Sequence, residues 1–443
     1  MINTGFAREV ITPARGVSLV GYFNPRPNRG AYDDLYVKAF VFSDGRETAG
    51  IVSVDLCFVT TDIIDEVKAL LAKSGITFAE NILFSATHTH TGPYVCDFFG
   101  VPLDKSYIKF LTCKIVEAVV RAGKNLSPSE ISYGSEKNNP LAFNRRFFMK
   151  NGKVVTNPGK LNPDIIKQEG TVDTETGALS VKKDGILELV IANIVNHTDT
   201  VGGDFVSADW PGRMEVEIQK KTGYDVPVIT LIGASGNINH FDIKSPKPQC
   251  SYKESVQIGK TYAAIVLEIL KKSKRIKPDT FTVSKSTIEI KARTFSKKEI
   301  SEAEKIVKMN VSSSGKDLTS EDLAKGAGEV ARFFASQLLE FNKKEAGRKR
   351  KFEIIAFKFG KNNLAITSLP GEPFTEIGLA IKKDSPFKRT FVASLSQGSC
   401  GYVPMKECFT RGGYEILPVQ GAGSERDTEE KLINVSLRNL LTT

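Results

Sequence analysis

Residues 50–86 read GIVSVDLCFVTTDIIDEVKALLAKSGITFAENILFSA, and this stretch decides the fold class. Its first part, 50–60, is a largely apolar run that predicts a buried strand. Residues 62–73 have the spacing of an amphipathic helix, and residues 81–86 predict a second buried strand. A strand–helix–strand unit of this kind is typical of α/β proteins.

The alternation of strand and helix patterns continues along the chain. One helical face carries Ile108, Leu111, Ile115, Val119 and Ala122. Later segments predict strands at 186–196 and 226–232, helices at 213–221 and 254–271, and further strands at 352–359 and 363–368. We therefore expect an α/β fold with a mixed, largely parallel sheet in layers flanked by helices.

No internal repeat or linker divides the chain, so we expect a single catalytic domain over residues 1–443. Residues 296–351 are rich in Lys, Glu and Ala. This composition predicts a helical excursion from that domain, in the second half of the chain.

The composition excludes several classes of protein. Of the 443 residues, 41% are hydrophobic and 25% are charged, which is ordinary for a globular protein. The formal net charge is +10, but much of the excess lies in residues 271–277 and 343–351, away from the motifs described below. We therefore expect no nucleic-acid partner.

The cysteines and the first residues favour a cytoplasmic protein. The six cysteines form no C-x-x-C pair and no dense framework, which is typical of reduced thiols. The opening MINTGFAREVITP lacks the basic region and apolar run of a secretion signal. No later segment approaches the roughly 18–20 apolar residues of a membrane span. The sequence leaves the oligomeric state open.

The chain has only four histidines, and each follows a predicted strand. His88 and His90 lie in residues 86–93 (ATHTHTGP), His197 ends a strand, and His240 lies in a glycine-rich turn. Loops at this edge of an α/β sheet carry ligands, and side chains two residues apart in extended chain point the same way. The pattern favours a metal or catalytic site, although structural histidines that cap loops would also explain the H-T-H pair.

A divalent metal such as zinc needs three or four nitrogen, oxygen or sulfur donors. The cysteines lack suitable spacing, so carboxylates are the better candidates: Asp55 in an apolar strand, Asp209 in SADW, and Glu372 in LPGEPF. Glu372 directly follows the predicted strand 363–368, which places it at the edge that carries the histidines. Asp55 is equally explained by hydrogen bonds to nearby backbone amides.

The turn at residues 233–240 (GASGNINH) is neither a phosphate-binding P-loop nor a nucleophile elbow. A P-loop ends in Lys followed by Ser or Thr, and the elbow needs G-x-S-x-G, whereas Gly236 directly follows Ser235. We expect this turn to line the site.

Taken together, these motifs resemble the catalytic domain of the neutral/alkaline non-lysosomal ceramidases. The resemblance runs from about residue 3 to the C-terminus and rests on ATHTHTGP and on further motifs in the same order. These are GFAREVITP at 5–13, Gly21-Tyr22, VSVDL at 52–56, SAD at 207–209, PGEP at 370–373, GYV at 401–403 and Tyr414-Glu415.

The resemblance implies a zinc amidohydrolase that cleaves the N-acyl bond of ceramide to sphingosine and a fatty acid. The residues that match the ligands of one zinc ion per chain are His88, His197, Glu372 and Tyr402. The residues that match catalytic groups are His90, Arg145 and Tyr414. In such a site the metal lowers the pKa of water, His90 or Glu372 moves a proton to the leaving amine, and Arg145 and Tyr414 stabilise the oxyanion.

The sequence departs from the family in three places. The turn at 236–240 reads Gly-Asn-Ile-Asn-His where the family has G-D-x-S-P-N, and Thr198 follows His197 where the family has proline. The chain also ends soon after the tyrosine motifs. We therefore expect neither the C-terminal β-sandwich domain nor the secretion signal of the ceramidases.

The function expected from the sequence is metal-dependent hydrolysis of an N-acyl amide bond in a small-molecule substrate, either ceramide or another amide. The alternatives are a glycoside, ester or lactone hydrolase on the same scaffold, and a non-catalytic binding protein. The substrate-pocket candidates are Asn237, Asn239 and His240, which suit a polar substrate, and Phe98 and Phe99, which suit the alkyl chains of an N-acyl lipid.

Overall fold

The computed structural model of the chain describes residues 2–97, 101–309, 322, 326, 328–419 and 423–442. Its helices are α1 (Thr61–Lys73), α2 (Lys105–Lys124), α3 (Asp209–Thr222), α4 (Tyr252–Lys271), α5 (Lys297–Lys308), α6 (Glu329–Lys344), α7 (Thr375–Asp384) and α8 (Thr428–Leu441). Its strands are, in chain order, β1 (Ile2–Val10), β2 (Ser18–Leu19), β3 (Arg26–Pro27), β4 (Gly30–Ala31), β5 (Tyr36–Ser43), β6 (Thr48–Val54), β7 (Ile82–Ala86), β8 (Ser127–Lys137), β9 (Phe143–Asn144), β10 (Arg146–Met149), β11 (Val154–Thr156), β12 (Ile165–Gln168), β13 (Glu175–Lys183), β14 (Ile186–Ile194), β15 (Phe205–Val206), β16 (Val228–Ile232), β17 (Ile238–Asn239), β18 (Lys274–Arg275), β19 (Phe281–Lys291), β20 (Lys349–Phe359), β21 (Leu364–Ser368), β22 (Glu372–Pro373), β23 (Arg389–Ala393) and β24 (Tyr402–Val403).

Two stacked sheets form the centre of the molecule, which confirms the expected mixed α/β class. The large sheet has the strand order β16-β14-β13-β8-β1-β5-β6-β7, with β18 beside β8, and the small sheet has the order β19-β20-β21-β23. Helices α1 to α4 cover one face of the large sheet, and α7 and α8 cover the outer face of the small sheet. The layers are therefore helices, large sheet, small sheet, helices.

The large sheet is mostly antiparallel, which differs from the expected largely parallel sheet. Only β6–β7 and β14–β16 are parallel neighbours in it, and each of these pairs is joined through a helix. The other neighbours need no crossover helix. Asp184-Gly185, for example, joins β13 to β14 with φ angles of 49° and 81°, the positive pair that a tight two-residue hairpin requires.

Alternation along the strands builds the two apolar interfaces. In β5, Ala39 and Val41 pack toward the helices, whereas Phe40 and Phe42 pack against the small sheet. The ring of Phe42 lies 5.2 Å from that of Phe357 in β20. Because side chains alternate along a strand with a period of two, one face of each strand packs on the helices and the other on the small sheet. This alternation also fixes the register of the strands at the sheet edge that carries the site.

The predicted helices form at the positions that the apolar spacing indicated. Thr60 caps α1 by accepting a hydrogen bond from the backbone N–H of Ile63, and Asp104 caps α2 in the same way. Helices α5 and α6 lie within the predicted excursion at 296–351, whose last residues belong to strand β20. Among the described residues, no helix is both long enough and apolar enough to cross a membrane.

Candidate metal centre and active site

His88 follows strand β7 at the point where the chain leaves the sheet. Its backbone has a φ of 68°, in the left-handed region that costs a residue other than glycine about 1–3 kcal/mol. Two hydrogen bonds hold it there: its backbone N–H donates to the carbonyl of Leu56 (2.8 Å), and Nδ1 donates to the carbonyl of Cys57 (2.7 Å). Because a carbonyl only accepts, Nδ1 carries a hydrogen, so the lone pair lies at Nε2 when the ring is neutral, as a metal ligand must be.

Three other predicted site residues converge on that nitrogen. His88 Nε2 lies 3.0 Å from His197 Nε2, 3.3 Å from His90 Nε2 and 3.3 Å from Glu372 Oε2. The sequence predicted extended chain at His88, whereas the backbone there is left-handed. The rings of His88 and His90 nevertheless face the same point. The ligand atoms of His88, His197 and Glu372 all lie within 4.8 Å of one another.

A divalent cation fits this group. The Oε2 atom of Glu372 is buried and has no hydrogen-bond partner among the described residues, and a buried carboxylate oxygen is costly unless a cation or a donor pairs with it. The environment also keeps His197 neutral, as a metal ligand must be, because burial holds its pKa well below the usual value. Burial likewise lowers the pKa of His90 to about 4.

A second group of donors, Cys57 with His88 and His90, has the same spread of ligand atoms. The Sγ atom of Cys57 lies 3.6 Å from Nδ1 of His88, on the side of the ring that already donates to the Cys57 carbonyl. A cation bound there would compete with that hydrogen bond. The lone pair on Nε2 therefore favours the group that contains His197 and Glu372.

Tyr402 lies beside Glu372 because two short strands pair in parallel. In that pairing of β22 with β24, Glu372 is opposite Tyr402. Burial and the Glu372 carboxylate raise the pKa of the Tyr402 phenol well above its usual value, while a hydrogen bond from Arg145 opposes the shift. The structure thus brings the fourth residue predicted as a metal ligand to the same place.

Arg145 is held by the buried carboxylate of Glu415, a residue to which the sequence assigned no role. Its Nε donates to Oε1 of Glu415 (2.8 Å), and a terminal nitrogen donates to the carbonyl of Gly236 (2.7 Å). The other oxygen of Glu415 accepts from Arg146 (2.5 Å) and from the hydroxyl of Thr156 (2.7 Å). The two arginines outweigh the effect of burial and hold the pKa of Glu415 below its usual value.

The same network reaches the second predicted catalytic tyrosine. The backbone N–H of Tyr414 donates to the hydroxyl of Thr156 at 3.0 Å, and Thr156 in turn donates to Glu415. Glu415 therefore positions both Arg145 and Tyr414. In the sequence, the position of Glu415 directly after Tyr414 was the available indication that it belongs to the site. The fold shows which groups it binds.

These residues open onto a cavity of about 800 Å³. The predicted site residues that line it are His90, His197, Arg145, Tyr402 and Tyr414. The residues that α5 and α6 contribute form a largely apolar wall with Ala303, Ile306, Val330, Phe334 and Leu338, beside Glu299 and Glu302. Polar residues from outside these two helices form the polar wall and include Tyr22, Asn157 and Asp199. The cavity is therefore amphipathic.

Three of the predicted substrate-pocket residues do not line this cavity. Asn237, Asn239 and His240 are buried and are not among the described residues that line the cavity. Asn239 instead donates to Asn157 (3.0 Å), which does line it. Phe98 and Phe99 lie outside the described residues. The turn at 233–240 thus supports the polar wall from behind, because burial leaves its side chains bonded to protein groups.

The other two carboxylates considered from the sequence have structural roles. Asp55 accepts hydrogen bonds from the backbone N–H of Tyr36 (2.9 Å) and the hydroxyl of Thr87 (3.2 Å). Asp209 accepts from the backbone N–H groups of Thr200 (2.8 Å) and Val201 (2.9 Å) and so shapes the loop after His197. Neither belongs to a candidate metal group among the described residues.

Close approach of the backbone explains two of the glycines around the site. A Cβ atom on Gly21 would lie 2.6 Å from Cβ of His90, and one on Gly236 would lie 2.3 Å from the backbone oxygen of Glu372. Both distances are far inside van der Waals contact. Any larger residue at either position would displace a side chain or strand of the site.

Comparisons with known proteins find similarity to the neutral ceramidases. Residues 3–155 match the model of the family described as neutral/alkaline non-lysosomal ceramidase, N-terminal. The chain is 32% identical over 126 residues to neutral ceramidase B of Dictyostelium discoideum. That match covers 26% of this chain and spans only 18% of the relative.

Solved structures extend the likeness to the whole fold. The crystal structure of neutral ceramidase from Pseudomonas aeruginosa matches 99% of this chain and 74% of its own length, with a TM-score of 0.75 and 18% identity. A structure described as ceramidase complexed with C2 matches 99% of this chain and 75% of its own, with a TM-score of 0.76 and 16% identity. The resemblance to the neutral/alkaline non-lysosomal ceramidases is therefore confirmed, in sequence over residues 3–155 and in fold over almost the entire chain.

Proposed function

We propose that this chain is a zinc-dependent hydrolase of the neutral ceramidase type that cleaves the N-acyl amide bond of an amphiphilic substrate. The observation that carries the proposal is the convergence of two imidazoles and a carboxylate beside one amphipathic cavity. The sequence match to the ceramidase family over residues 3–155 supports the reaction class.

The residues that would hold the metal are His88, His197 and Glu372, with Tyr402 as the proposed fourth ligand. Nitrogen and oxygen donors of this kind suit zinc. A bound zinc ion would supply Lewis acidity and would lower the pKa of water toward neutrality. The protein's own contribution is to fix the donors, which the His88–Cys57 hydrogen bond does for the first imidazole.

Arg145 and Tyr414 are placed to stabilise a developing oxyanion. Glu415 and Gly236 hold the Arg145 guanidinium on two sides, so its remaining N–H groups point in fixed directions. The Tyr414 side chain lines the same cavity and is anchored through its backbone to Thr156. Fixed donors of this kind stabilise charge without reorganisation when the amide carbon becomes tetrahedral.

His90 is the proposed carrier of the proton that the leaving amine needs. It lines the cavity, and its Nε2 lies 3.3 Å from Nε2 of His88. A base at this position can accept a proton near the metal ligands and donate it to the amine nitrogen, which leaves well only when protonated. The apolar wall of α5 and α6 then accounts for an alkyl chain on the substrate.

The first test combines metal analysis with amide hydrolysis. We expect about one equivalent of zinc per purified chain by elemental mass spectrometry. We also expect release of free amine from a ceramide or another long-chain N-acyl amide. His88→Ala should lose both, because the remaining donors no longer close the site.

His240→Ala is the matched control for metal content. It removes the one histidine of the chain that lies outside both candidate metal groups, so its zinc content should equal that of the wild type. Full zinc content in His88→Ala would refute the ligand assignment. Cleavage of a long-chain ester but of no amide would favour the ester-hydrolase alternative on the same scaffold.

A further inference from the structure

One tight turn joins two parts of the site that lie far apart in the sequence. The backbone N–H of Arg145 donates to the carbonyl of Asn237 (2.9 Å), and its guanidinium donates to the carbonyl of Gly236 (2.7 Å). On the other side, the backbone N–H of Gly236 donates to the carbonyl of Pro373, the residue after Glu372 (2.9 Å). The turn therefore lies between the proposed oxyanion donor and the strand that carries a proposed metal ligand.

The side chain of Asn237 extends this link to the first turn of helix α7. The helix begins at Thr375, directly after β22, and the residue that precedes it provides no side-chain cap. Oδ1 of Asn237 accepts from the backbone N–H of Thr375 (2.8 Å), and Nδ2 donates to Oε2 of Glu376 (2.8 Å). A backbone N–H donates and a carboxylate oxygen accepts, so the amide can face them in only one orientation. Asn237 is buried, so water does not freely replace a lost bond.

Asn237 and Glu376 form a matched pair. The second carboxylate oxygen of Glu376, Oε1, accepts from the backbone N–H of Thr171 (2.9 Å), so each oxygen has its own donor. The ceramidases have Asp where this chain has Asn237. An Asp at this position would bring a second carboxylate to the 2.8 Å that the hydrogen bond now spans, and two carboxylates at that separation repel. The amide at position 237 therefore suits the carboxylate at position 376.

We propose that Asn237 is a positioning residue of the site: bonded to Glu376, it holds β22 and the Glu372 carboxylate in a fixed position relative to the Arg145 guanidinium. This inference rests on the proposed function, because it concerns how the metal ligand and the oxyanion donor of that site are held together. Asn237 is not among the described residues that line the cavity, so it acts through these neighbours. Loss of a residue that orients a metal ligand typically lowers metal affinity or activity about 10–100-fold.

The first variant, Asn237→Asp, changes one atom of the pair. It keeps the acceptor for the N–H of Thr375 but replaces the NH₂ donor by an oxygen that faces Glu376. We expect the zinc affinity, measured by competition with a chelator, to fall about tenfold or more. With zinc in excess, kcat for a long-chain N-acyl amide should fall by a similar factor, and KM should change little.

The second variant, Glu376→Gln, should restore function when it is combined with Asn237→Asp. Its new NH₂ group can donate to the new carboxylate at position 237, and its oxygen can accept from the N–H of Thr171, so every bond is restored with one of them reversed. On its own, Glu376→Gln should lower zinc affinity, because one N–H donor must then face another. We expect the double variant to recover to within about threefold of the wild type, far from the sum of the two losses.

A control and a stability measurement separate positioning from a merely structural role. Asn362→Asp makes the same chemical change at an exposed position in the turn before β21, at the end of the strand that is farther along the chain from Glu372. It should keep the wild-type zinc affinity and kcat. If Asn237→Asp lowers only the free energy of unfolding and leaves zinc affinity and kcat of the folded protein unchanged, the inference is overturned. Should that variant not fold, the double variant must still bind zinc more tightly than Glu376→Gln alone, and the opposite order overturns the inference.

The zinc measurement also separates this inference from the proposed reaction. If the wild type binds zinc but cleaves no amide, while zinc affinity falls in both single variants and recovers in the double variant, the proposed hydrolysis fails and the positioning role stands. If the wild type cleaves amides and all four proteins share one zinc affinity and one kcat, the hydrolase assignment stands and the role of Asn237 is overturned. A wild type that binds no zinc overturns both.

Discussion

The two walls of the cavity are built in different ways. On the sheet side, hydrogen bonds hold the functional groups: His88 to the Cys57 carbonyl, and Arg145 to Glu415. On the helical side, α6 contacts the rest of the site through rings. Phe333 lies 5.0 Å from Phe23.

The contrast indicates which side chains of the site must be positioned precisely and which need not be. Directional hydrogen bonds hold a group to within tenths of an ångström, as bond-making chemistry requires. Apolar contacts depend on area rather than direction and tolerate changes of shape. We therefore expect substitutions on the sheet side to abolish catalysis and those on the helical side to change substrate preference by small factors.

The largest effect is expected for Glu372→Gln. The variant keeps the shape of the side chain but removes the negative charge, so zinc should be lost and hydrolysis should fall to background. Cys57→Ser is the matched control, since Cys57 belongs only to the competing donor group. Elemental analysis of both proteins distinguishes the groups: zinc loss in Cys57→Ser together with retention in Glu372→Gln would reverse our assignment.

The second-largest effect is expected for Glu415→Gln, because this variant leaves two buried guanidinium groups without their shared counter-charge. Removal of one partner from a buried ion pair costs about 3–5 kcal/mol, so the free energy of unfolding at pH 7 should fall by that order. Turnover should also fall, because Arg145 and Tyr414 lose their anchor, while the zinc content stays unchanged. Denaturant unfolding and elemental analysis measure these effects.

The stability lost in Glu415→Gln should depend on pH with a defined sign. The pKa of Glu415 is lowered in the folded protein, so its stabilisation is complete above the unfolded-state value and is lost as the pH falls through the folded-state value. The difference between wild type and variant should therefore shrink below about pH 4. A constant difference from pH 7 to pH 3 would contradict the ion-pair argument.

Tyr414→Phe should have a smaller and cleaner effect. It removes one hydroxyl that lines the cavity and leaves the Thr156 bond to the backbone intact. Loss of one oxyanion donor typically lowers kcat by about 10²-fold, with little change in KM. Steady-state kinetics with zinc analysis tests this, and loss of zinc would mean that the roles of Tyr402 and Tyr414 are exchanged.

The accuracy of the predictions made from the sequence also differs between regions of the molecule. The α/β class and the helices α1 and α2 were predictable, because apolar spacing reports the buried face directly. The antiparallel pairing was missed, although Asp184-Gly185 is a hairpin signal between two predicted strands. Apolar strands predict burial but do not specify the direction of their neighbours.

Within the site, sequence reasoning identified the residues but not their surroundings. His88, His197 and Glu372 were predicted to meet because each follows a strand, and the structure brings their ligand atoms within 4.8 Å. The role of Glu415 was not predicted, because it depends on a partner 270 residues away in the chain. Such long-range pairs leave no local pattern.

The smallest expected effect tests the apolar wall. Leu338→Ala removes part of the cavity wall on α6, so a long acyl chain should lose some apolar contact while a short one should lose almost none. KM for a C16 amide should rise about three- to tenfold, in line with partial loss of a buried leucine contact, and kcat should stay near the wild-type value.

The neighbouring residue provides the control for that variant. Leu339 is half-buried on the same helix but is not among the described residues that line the cavity. Leu339→Ala therefore makes the same deletion without touching the wall, and its KM should match the wild type for both chain lengths. If Leu338→Ala lowers kcat equally for long and short chains, α6 contributes to the position of catalytic groups. The division between a sheet side that does chemistry and a helical side that selects substrate would then be wrong.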